Sequence, residues 1–392
     1  MSFKVNFNNT ALIRVDFNVP IHNNKILDLS RIYAAIPTIK HCLNKRMAVV
    51  LMSHFGRPSK PNPTFSLKQL VEPLSKILKQ KILFCSNIVE GNSIESKPLK
   101  QGEVLLLENL RFYPGETTND VAFAKLLSQY GGIYINDAFA ASHREHASIS
   151  AIKAYFSDKK KFRGFLLSNE IKQLDKLSIS NRPYSIVVGG SKIGSKIHIL
   201  NAFLDIADYI LIGGGMAFPF IKYQGGQIGK SLCNDSEIPI VEEFLNNLKN
   251  STTKLVLPID CVSTTSIKDQ SGINISNINS IASHAMGVDI GPKTIELFKT
   301  FIIRSKSIMW NGPMGVSEIE NFSKGTKKMC KAIADSTQNG SYSLIGGGDT
   351  VSDISRFGFK DKFSYVSTGG GAMLEFFKFN QLSTTIDLKE LT

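Results

Sequence analysis

Ser185-Ile186-Val187-Val188-Gly189-Gly190-Ser191-Lys192-Ile193-Gly194-Ser195-Lys196 is the stretch whose reading decides the fold. A short apolar run stops at two glycines, and Ile197, Ile199, Leu200, Phe203 and Leu204 follow at helical spacing. That is a buried strand, a turn and an amphipathic helix, the repeating unit of a parallel sheet covered on both faces. The second half repeats the strand signal at Ile210–Ile212, Leu255–Pro258, Ile308–Trp310, Ser343–Ile345 and Ser364–Val366. The first half carries it at Leu12–Val19, Ala48–Met52, Ile82–Cys85, Val104–Leu107 and Ile133–Asn136. A helical segment with Leu67, Leu70, Val71, Leu74, Ile77 and Leu78 stands between two of these. The pattern predicts an α/β chain of two doubly wound, Rossmann-like parallel-sheet domains joined by a helical hinge. The break falls near Ser157–Arg163, giving domains 1–163 and 164–378, with a connecting helix from Leu166 to about Leu177.

The two halves differ in how their apolar runs end. In the first half the runs stop at Arg14, Asp16 and Asn18, at His54 and Arg57, at Arg111, and at Asp137 with Arg144 soon after. In the second they stop at glycines: 189–190, 213–215, 312, 346–348 and 369–371. Arginine forks grip compact anions, whereas clustered glycines let backbone N–H groups approach phosphates. Ligands of open parallel sheets bind beyond the carboxyl ends of strands, where both clusters sit. One surface therefore suits a small anion and the other a nucleotide, and joining such surfaces is the task of a phosphoryl-transfer enzyme.

At 392 residues the chain exceeds one ordinary core. Apolar residues make up 42%, as in ordinary globular proteins. No apolar stretch approaches the ~20 residues that span a bilayer. The start, Met-Ser-Phe-Lys-Val-Asn, has no signal-peptide character, so a cytoplasmic location is expected. Five scattered cysteines with no Cys-x-x-Cys pair read as buried free thiols. The net charge of +13 permits nucleic-acid binding, but no basic block carries interleaved aromatics, and lysine spread over helix surfaces accounts for it.

Arg14, Asp16 and Asn18 share one strand face, with Val15, Phe17 and Val19 on the other. Asp16 and Asn18 suit a hydroxylated acid, and the turn through Gly56 and Pro58 holds His54 and Arg57 outward. His143 and His146 lack a third ligand for a metal site. Residues 189–196 are no Walker loop, because the Gly-Lys-Ser/Thr order is absent, and Gly225 to Ser231 is one residue too short between its glycines. Lys192 and Lys196, four apart at a helix start, repel each other and oppose the dipole unless an anion lies between them. In Gly346-Gly347-Gly348-Asp349-Thr350 an Asp among phosphate-cradling glycines suggests a bridging Mg²⁺.

Together these strings resemble the phosphoglycerate kinase family from about Arg14 to Phe376. The carriers are RVDFNVP (14–20), SHFGRP (53–58), LENLRFYPGE (107–116), NDAFAASHREHAS (136–148), GGSKIGSK (189–196) and IGGGMAF (212–218). They continue as GKSLC (229–233), LPIDCV (257–262), GVDIGP (287–292), WNGPMGV (310–316), GGGDT (346–350) and SYVSTGGGAMLEF (364–376). The resemblance implies reversible transfer of the acyl phosphate of 1,3-bisphosphoglycerate to ADP, giving 3-phosphoglycerate and ATP. It implies that Asp16, Asn18, Arg31, His54, Arg57, Arg111 and Arg144 hold the phosphoglycerate. Lys196, Gly213, Gly287, Asn311, Glu318 and the loop Gly347, Gly348, Asp349, Thr350 would hold the nucleotide, with Asp349 reaching its Mg²⁺. Arg31 and Lys192, with backbone N–H groups near Gly370 and Gly371, would neutralise the transferring group. It further implies a monomer without nucleic-acid or membrane partners, whose residues 379–392 return to the first domain. Ala140, Asn169, Asn234 and Ser317 depart from the family's usual residues, and none is an implied ligand. The residues alone leave open a kinase of another phosphorylated acid, or a basic nucleotide- or nucleic-acid-binding protein. Intact Arg31, Lys192, Lys196 and Asp349 speak against the latter.

Overall fold

The apolar runs of the first half assemble into a wholly parallel seven-stranded sheet. The computed structural model describes residues 3–4, 9–22, 25–58, 60–89, 97–178, 181–194, 196–379 and 381–392. The first unit comprises residues 1–172 and 381–392, and the second residues 173–380. Strands of the first are β1 (Thr10–Arg14), β2 (Ala48–Met52), β3 (Ile82–Cys85), β4 (Val104–Leu107), β5 (Ile133–Asn136) and β6 (Lys161–Arg163). With the tail strand Lys389–Glu390 at one edge, the order is tail–β6–β5–β1–β2–β4–β3. Helices α1 (Ser30–Asn44), α2 (Val71–Leu78) and α3 (Val121–Ser128) alternate with these strands. Ile13, Val15, Phe17, Leu51, Leu106 and Ile135 fill the core with Ile32 and Ile39 of α1. The Asp120 carboxylate accepts from the Phe123 N–H at 2.7 Å and caps α3, a contact of about 1 kcal/mol.

Helix α4 (Phe165–Ser178) carries the division between the units within its length. The second unit is built on β7 (Tyr184–Val188), α5 (Ile197–Ala202), β8 (Tyr209–Ile212) and β9 (Lys254–Val256). It continues through β10 (Asp260–Thr264), β11 (Asn274–Asn277), β12 (Met286–Ile290), α6 (Pro292–Arg304) and β13 (Ser307–Asn311). It ends with α7 (Lys324–Gln338), β14 (Tyr342–Gly346), α8 (Gly348–Arg356), β15 (Tyr365–Val366) and α9 (Gly370–Phe379). Six strands form a parallel sheet in the order β9–β8–β7–β13–β14–β15. Val187, Leu211, Phe298, Trp310 and Ile345 pack its core. The buried Trp310 indole donates to the Gly312 carbonyl at 2.8 Å, satisfying its single polar atom. Among the described residues no helix is long and apolar enough to cross a membrane.

Three elements differ from the pattern reading. The strand read at Leu12–Val19 ends at Arg14, because the next backbone groups turn to side chains. The Phe17 N–H donates to Ser53 Oγ at 2.9 Å, and the Asn18 N–H to Asp16 Oδ1 at 3.1 Å. The helix read from Leu67 begins as a tighter turn over Leu67–Leu70 before α2. A three-stranded antiparallel sheet, β11–β10–β12, escaped the reading because its strands are rich in Asp, Asn, Ser and Thr rather than apolar runs.

The tail strand extends the first sheet by pairing with β6. The Leu391 N–H donates to the Arg163 carbonyl at 3.1 Å. Asp387 receives Lys153 Nζ at 2.7 Å and Lys161 Nζ at 2.8 Å. Burial pushes its pKa up, but the two lysines outweigh that and hold it below the ordinary carboxylate value. The contribution is therefore present at neutral pH and lost as acid protonates the group. Asp387→Ala is expected to cost on the order of 1 kcal/mol and to speed amide exchange at Leu391 roughly five-fold, read by NMR. An unchanged exchange rate would show that the apolar tail contacts alone hold the strand.

Candidate functional site

In the first sheet the chain winds outward in opposite directions from β1 and β5, so the crevice for a ligand opens beyond their carboxyl ends. Arg14 closes β1 and is fully buried. Its Nε donates to Ser148 Oγ at 2.8 Å, and Glu116 Oε1 lies 3.9 Å from its NH2. Glu116 in turn accepts from the Ser148 N–H at 3.0 Å and hydroxyl at 2.6 Å. Arg14 NH2 also sits 3.2 Å from His54 Nδ1. A guanidinium only donates, so Nδ1 accepts and the neutral ring carries its proton on Nε2. Burial first, and then the charges of Arg14, Arg111, Arg144 and Arg31, hold the His54 pKa well below its usual value.

Asp16 accepts from Arg31 NH1 at 2.7 Å, and Asn18 Oδ1 accepts from the Gly56 N–H at 2.9 Å. The β1 end and the turn after β2 are thus tied together. Arg57, Arg111 and Arg144 line one cleft of about 560 Å³ with His146 and Thr117, and no carboxylate lines it. Arg111 also donates to the Gly56 carbonyl. Burial, then Arg144, Arg14 and Arg57, lowers the Arg111 pKa to about 10. Arg144 Nε lies 3.2 Å from His143 Nε2, whose pKa burial and Arg144 push down to about 4, so this nitrogen accepts. Three guanidinium groups held together without a carboxylate among them favour an anion between them.

The pattern reading missed the residues that set this geometry. Asn109 accepts from the N–H groups of Phe55 and Arg111, both at 3.0 Å, and donates to the carbonyls of Phe55 and Phe65. Glu116 and Ser148 hold Arg14. Asn109 and Glu116 stand in the 107–116 string, yet nothing in its periodicity marks them as partners of distant loops.

In the second sheet the reversal lies between the neighbours β7 and β13. Beyond them the Gly189 N–H donates to the Asn311 carbonyl and the Gly190 N–H to the Pro313 carbonyl. Lys196 Nζ donates to the carbonyls of Gly189 at 2.6 Å and Asn311 at 3.3 Å. Burial lowers its pKa to about 8, against the raising influence of Asp349. The helix after this loop opens at Ile197, so Lys192 and Lys196 both precede it and do not stack one turn apart upon it. No helix face therefore carries both lysines with an anion between them. Lys192 is exposed, and Ser195 lies outside the described residues.

A cleft of about 430 Å³ opens in this unit, lined by Gly287, Glu318 and Asp349 among the sequence-derived candidates. Phe218, Leu232, Ile278, Met286, Val288 and Pro313 give it an apolar wall that the sequence reading did not identify. These residues come from separate segments, so no local signal gathers them. Gly213, Lys196, Asn311, Gly347, Gly348 and Thr350 stand outside the lining, at the strand ends. The buried Asn311 Nδ2 has no hydrogen-bond partner. Gly347 precedes α8 at φ +92°, and a Cβ on Gly370 would lie 2.8 Å from the Gly347 Cα. Both positions require glycine for this close backbone approach. Gly348 and Asp349 are exposed in the first turn of α8, while the buried Thr350 accepts from the Gly312 N–H at 2.7 Å. Gly370 and Gly371 open α9. Among the described residues no cluster of three or more His, Cys, Asp or Glu forms a metal cage.

The buried neutral His54 makes stability depend on pH. Below about 6.5 the unfolded chain takes up a proton that the folded ring refuses, so stability falls as pH drops through that value. Imidazole ¹⁵N shifts are expected to stay those of the neutral Nε2–H form between pH 8 and pH 5. Titration with a midpoint near 6.5 would overturn the assignment. His54→Gln is expected to flatten the slope of stability against pH, measured by urea unfolding.

The phosphoglycerate kinase family model matches residues 4–379. A phosphoglycerate kinase of Thermosipho africanus is 43% identical over 378 residues, spanning 95% of this chain and 93% of its own. One from Nitratiruptor is 44% identical over 95% of this chain and 94% of its own. The solved phosphoglycerate kinase of Coxiella burnetii superposes with a TM-score of 0.85 at 36% identity, covering 97% of this chain and 96% of that one. That of Pyrococcus horikoshii superposes at 0.82 and 29% identity with the same coverage. With the fold, the two clefts and these likenesses in agreement, the chain belongs to the phosphoglycerate kinase family of glycolytic phosphotransferases.

Proposed function

We propose that the first unit holds the phosphoglycerate moiety and the second the nucleotide, and that the acyl phosphate of 1,3-bisphosphoglycerate passes directly to ADP. The observation that carries this reading is the carboxylate-free cleft of Arg57, Arg111 and Arg144. A ligand with two anionic ends relieves the repulsion among the guanidinium groups, which adds to burial in lowering the Arg111 pKa. Asp16 and Asn18 orient the hydroxyl, His54 offers its Nε2–H, and Arg31 reaches the transferring group from its place beside Asp16. In the second unit the apolar wall suits a base, Glu318 a ribose, and Lys196 with the amides of Gly347–Thr350 the phosphates. Asn311, with its unpartnered Nδ2, and Gly213 and Gly287 complete the nucleotide surface. We place the enzyme in the cytoplasm as a monomer acting on small molecules alone.

A single exposed carboxylate at a helix start fits Mg²⁺, which keeps several waters and shares its sites with phosphates. Asp349 would hold that ion, and the ion would supply positive charge to the nucleotide phosphates. The remaining chemistry needs no general base. In the ATP-forming direction an ADP phosphate oxygen attacks. In reverse the nucleophile is a carboxylate with a pKa of roughly 3–4, already ionised. Rate must then come from alignment and from charge placed around the equatorial oxygens of the transferring phosphoryl group. Arg31, Lys192 and the N–H groups at Gly370 and Gly371 provide that charge, and closure excludes water.

Arg31→Ala and Lys192→Ala are each expected to lower kcat at least about 100-fold while changing the Kd for ADP only a few-fold, by coupled assay and calorimetry. An unchanged kcat in either refutes its assignment. Direct transfer requires reacting atoms within about 3–3.5 Å, so the two ligand sites must meet. Small-angle scattering is expected to show a smaller radius of gyration with both ligands bound than with neither. No contraction would overturn the closure step.

A further inference from the structure

A second cleft of the 173–380 unit takes no part in this chemistry. Val262, Ile273, Ile275, Pro292, Ile295 and Phe359 form an apolar groove of about 560 Å³, within the roughly 300–1,000 Å³ of ligand clefts. Ile273 and Ile275 are 45% and 51% exposed, at and beside the edge strand β11, which pairs on one side only, with β10. Exposed isoleucines on an otherwise polar edge strand are a cost in water with no compensating contact.

Lys324, Lys327, Lys328 and Lys331 line the same groove. On α7 they stand at i, i+3, i+4 and i+7, so they form one stripe roughly 10 Å long. All four are exposed. Three occupy the first turns of the helix, where the dipole disfavours cations, and neighbouring ammonium groups repel. Lys331 is relieved by Asp335 at 3.0 Å, whereas among the described residues Lys324, Lys327 and Lys328 form no ion pair. Lys327 lies 5.9 Å over the Phe357 ring.

From this pairing of an apolar floor with a cationic stripe, we propose that the groove is a docking site for an acidic amphipathic segment of a partner protein. Leucine-like side chains enter between β11 and α6, and carboxylates spaced along about two helical turns meet the lysines. The spread of charge selects the occupant. One headgroup on one acyl chain answers only part of a stripe this long, while a helical segment with glutamates three and four apart answers all of it. The groove's volume takes a few such side chains and not a folded surface.

The test uses the full chain and a fluorescein-labelled synthetic peptide of about 16 residues, with leucines on one helical face and four glutamates along its border. Anisotropy is expected to show saturable one-to-one binding. Lys324→Glu with Lys328→Glu is expected to weaken it at least about ten-fold, since both glutamates suit a helix start and leave the fold intact. Ile275→Ser is expected to weaken it about three-fold, and replacing the peptide's glutamates by glutamine about ten-fold. Lys40→Glu with Lys45→Glu, in the other unit, is expected to leave binding within about two-fold. Kinase turnover of the α7 variant should equal that of the parent, which shows that it is folded. Absence of saturable binding would overturn the proposal. So would an equal loss in the Lys40/Lys45 variant, which marks attraction by net charge, or one-to-one binding of dodecanoate in place of the peptide, which marks a lipid site.

Discussion

The first unit's site depends on one buried charge. Arg14 has no contact with water, and a guanidinium so placed is tolerable only if each side of its fork meets a partner. NH1 donates to the adjacent Val15 carbonyl, Glu116 supplies the opposite charge, Ser148 joins the two, and His54 accepts from NH2. Glu116, Ser148 and His54 each arrive from a different segment. Satisfying Arg14 therefore fixes the 116 and 148 loops and the turn after β2 at once. It also fixes which nitrogen of His54 carries a proton, and so what that ring can offer to a ligand. A group that never meets solvent thus decides the hydrogen-bonding character of a neighbouring buried ring.

In the second unit the corresponding constraint is backbone proximity. The N–H groups of Gly189 and Gly190 donate to the Asn311 and Pro313 carbonyls, and a side chain on Gly370 would strike Gly347. Strand ends brought this close leave carbonyls facing inward. Lys196 answers two of them, at the price of a desolvated ammonium. The glycines are therefore more than a flexible approach to phosphate. They create the carbonyl cage that holds the lysine in place.

The parallel sheets were legible because burial on both faces forces Val, Ile and Leu into short unbroken runs. β2, β3, β4 and β5 match their runs residue for residue. The antiparallel sheet was not, because Asp260, Ser263, Asn274 and Asn277 break the apolar signal, and their polar groups find partners in Thr294, in Ser276 across the sheet, and in the N–H groups of Ile275 and Asn279. The arginines of the first cleft were visible singly. Their convergence was not, since Arg111 meets the turn that carries Arg57 through Asn109 and Gly56, whose bonds to Phe55 and Arg111 span more than fifty residues, and Arg144 reaches the same cleft from a third segment. The mutual repulsion read for Lys192 and Lys196 at a helix start does not hold: a four-residue interval brings side chains together only where the backbone is helical, and here the helix opens at Ile197.

The two units present positive charge by different means, and the difference follows from pKa. Even lowered to about 10, Arg111 is fully charged at pH 7, so the arginine cleft presents its charge whether or not a ligand is there. Its mutual repulsion is a standing cost in the free protein, relieved only by an anion. Lys196, lowered to about 8, stands within reach of neutrality, and a nearby phosphate would pull it back toward full charge. The first surface is thus permanently cationic. At neutral pH most of Lys196 is already charged, so a phosphate beside it would complete its protonation rather than switch it on.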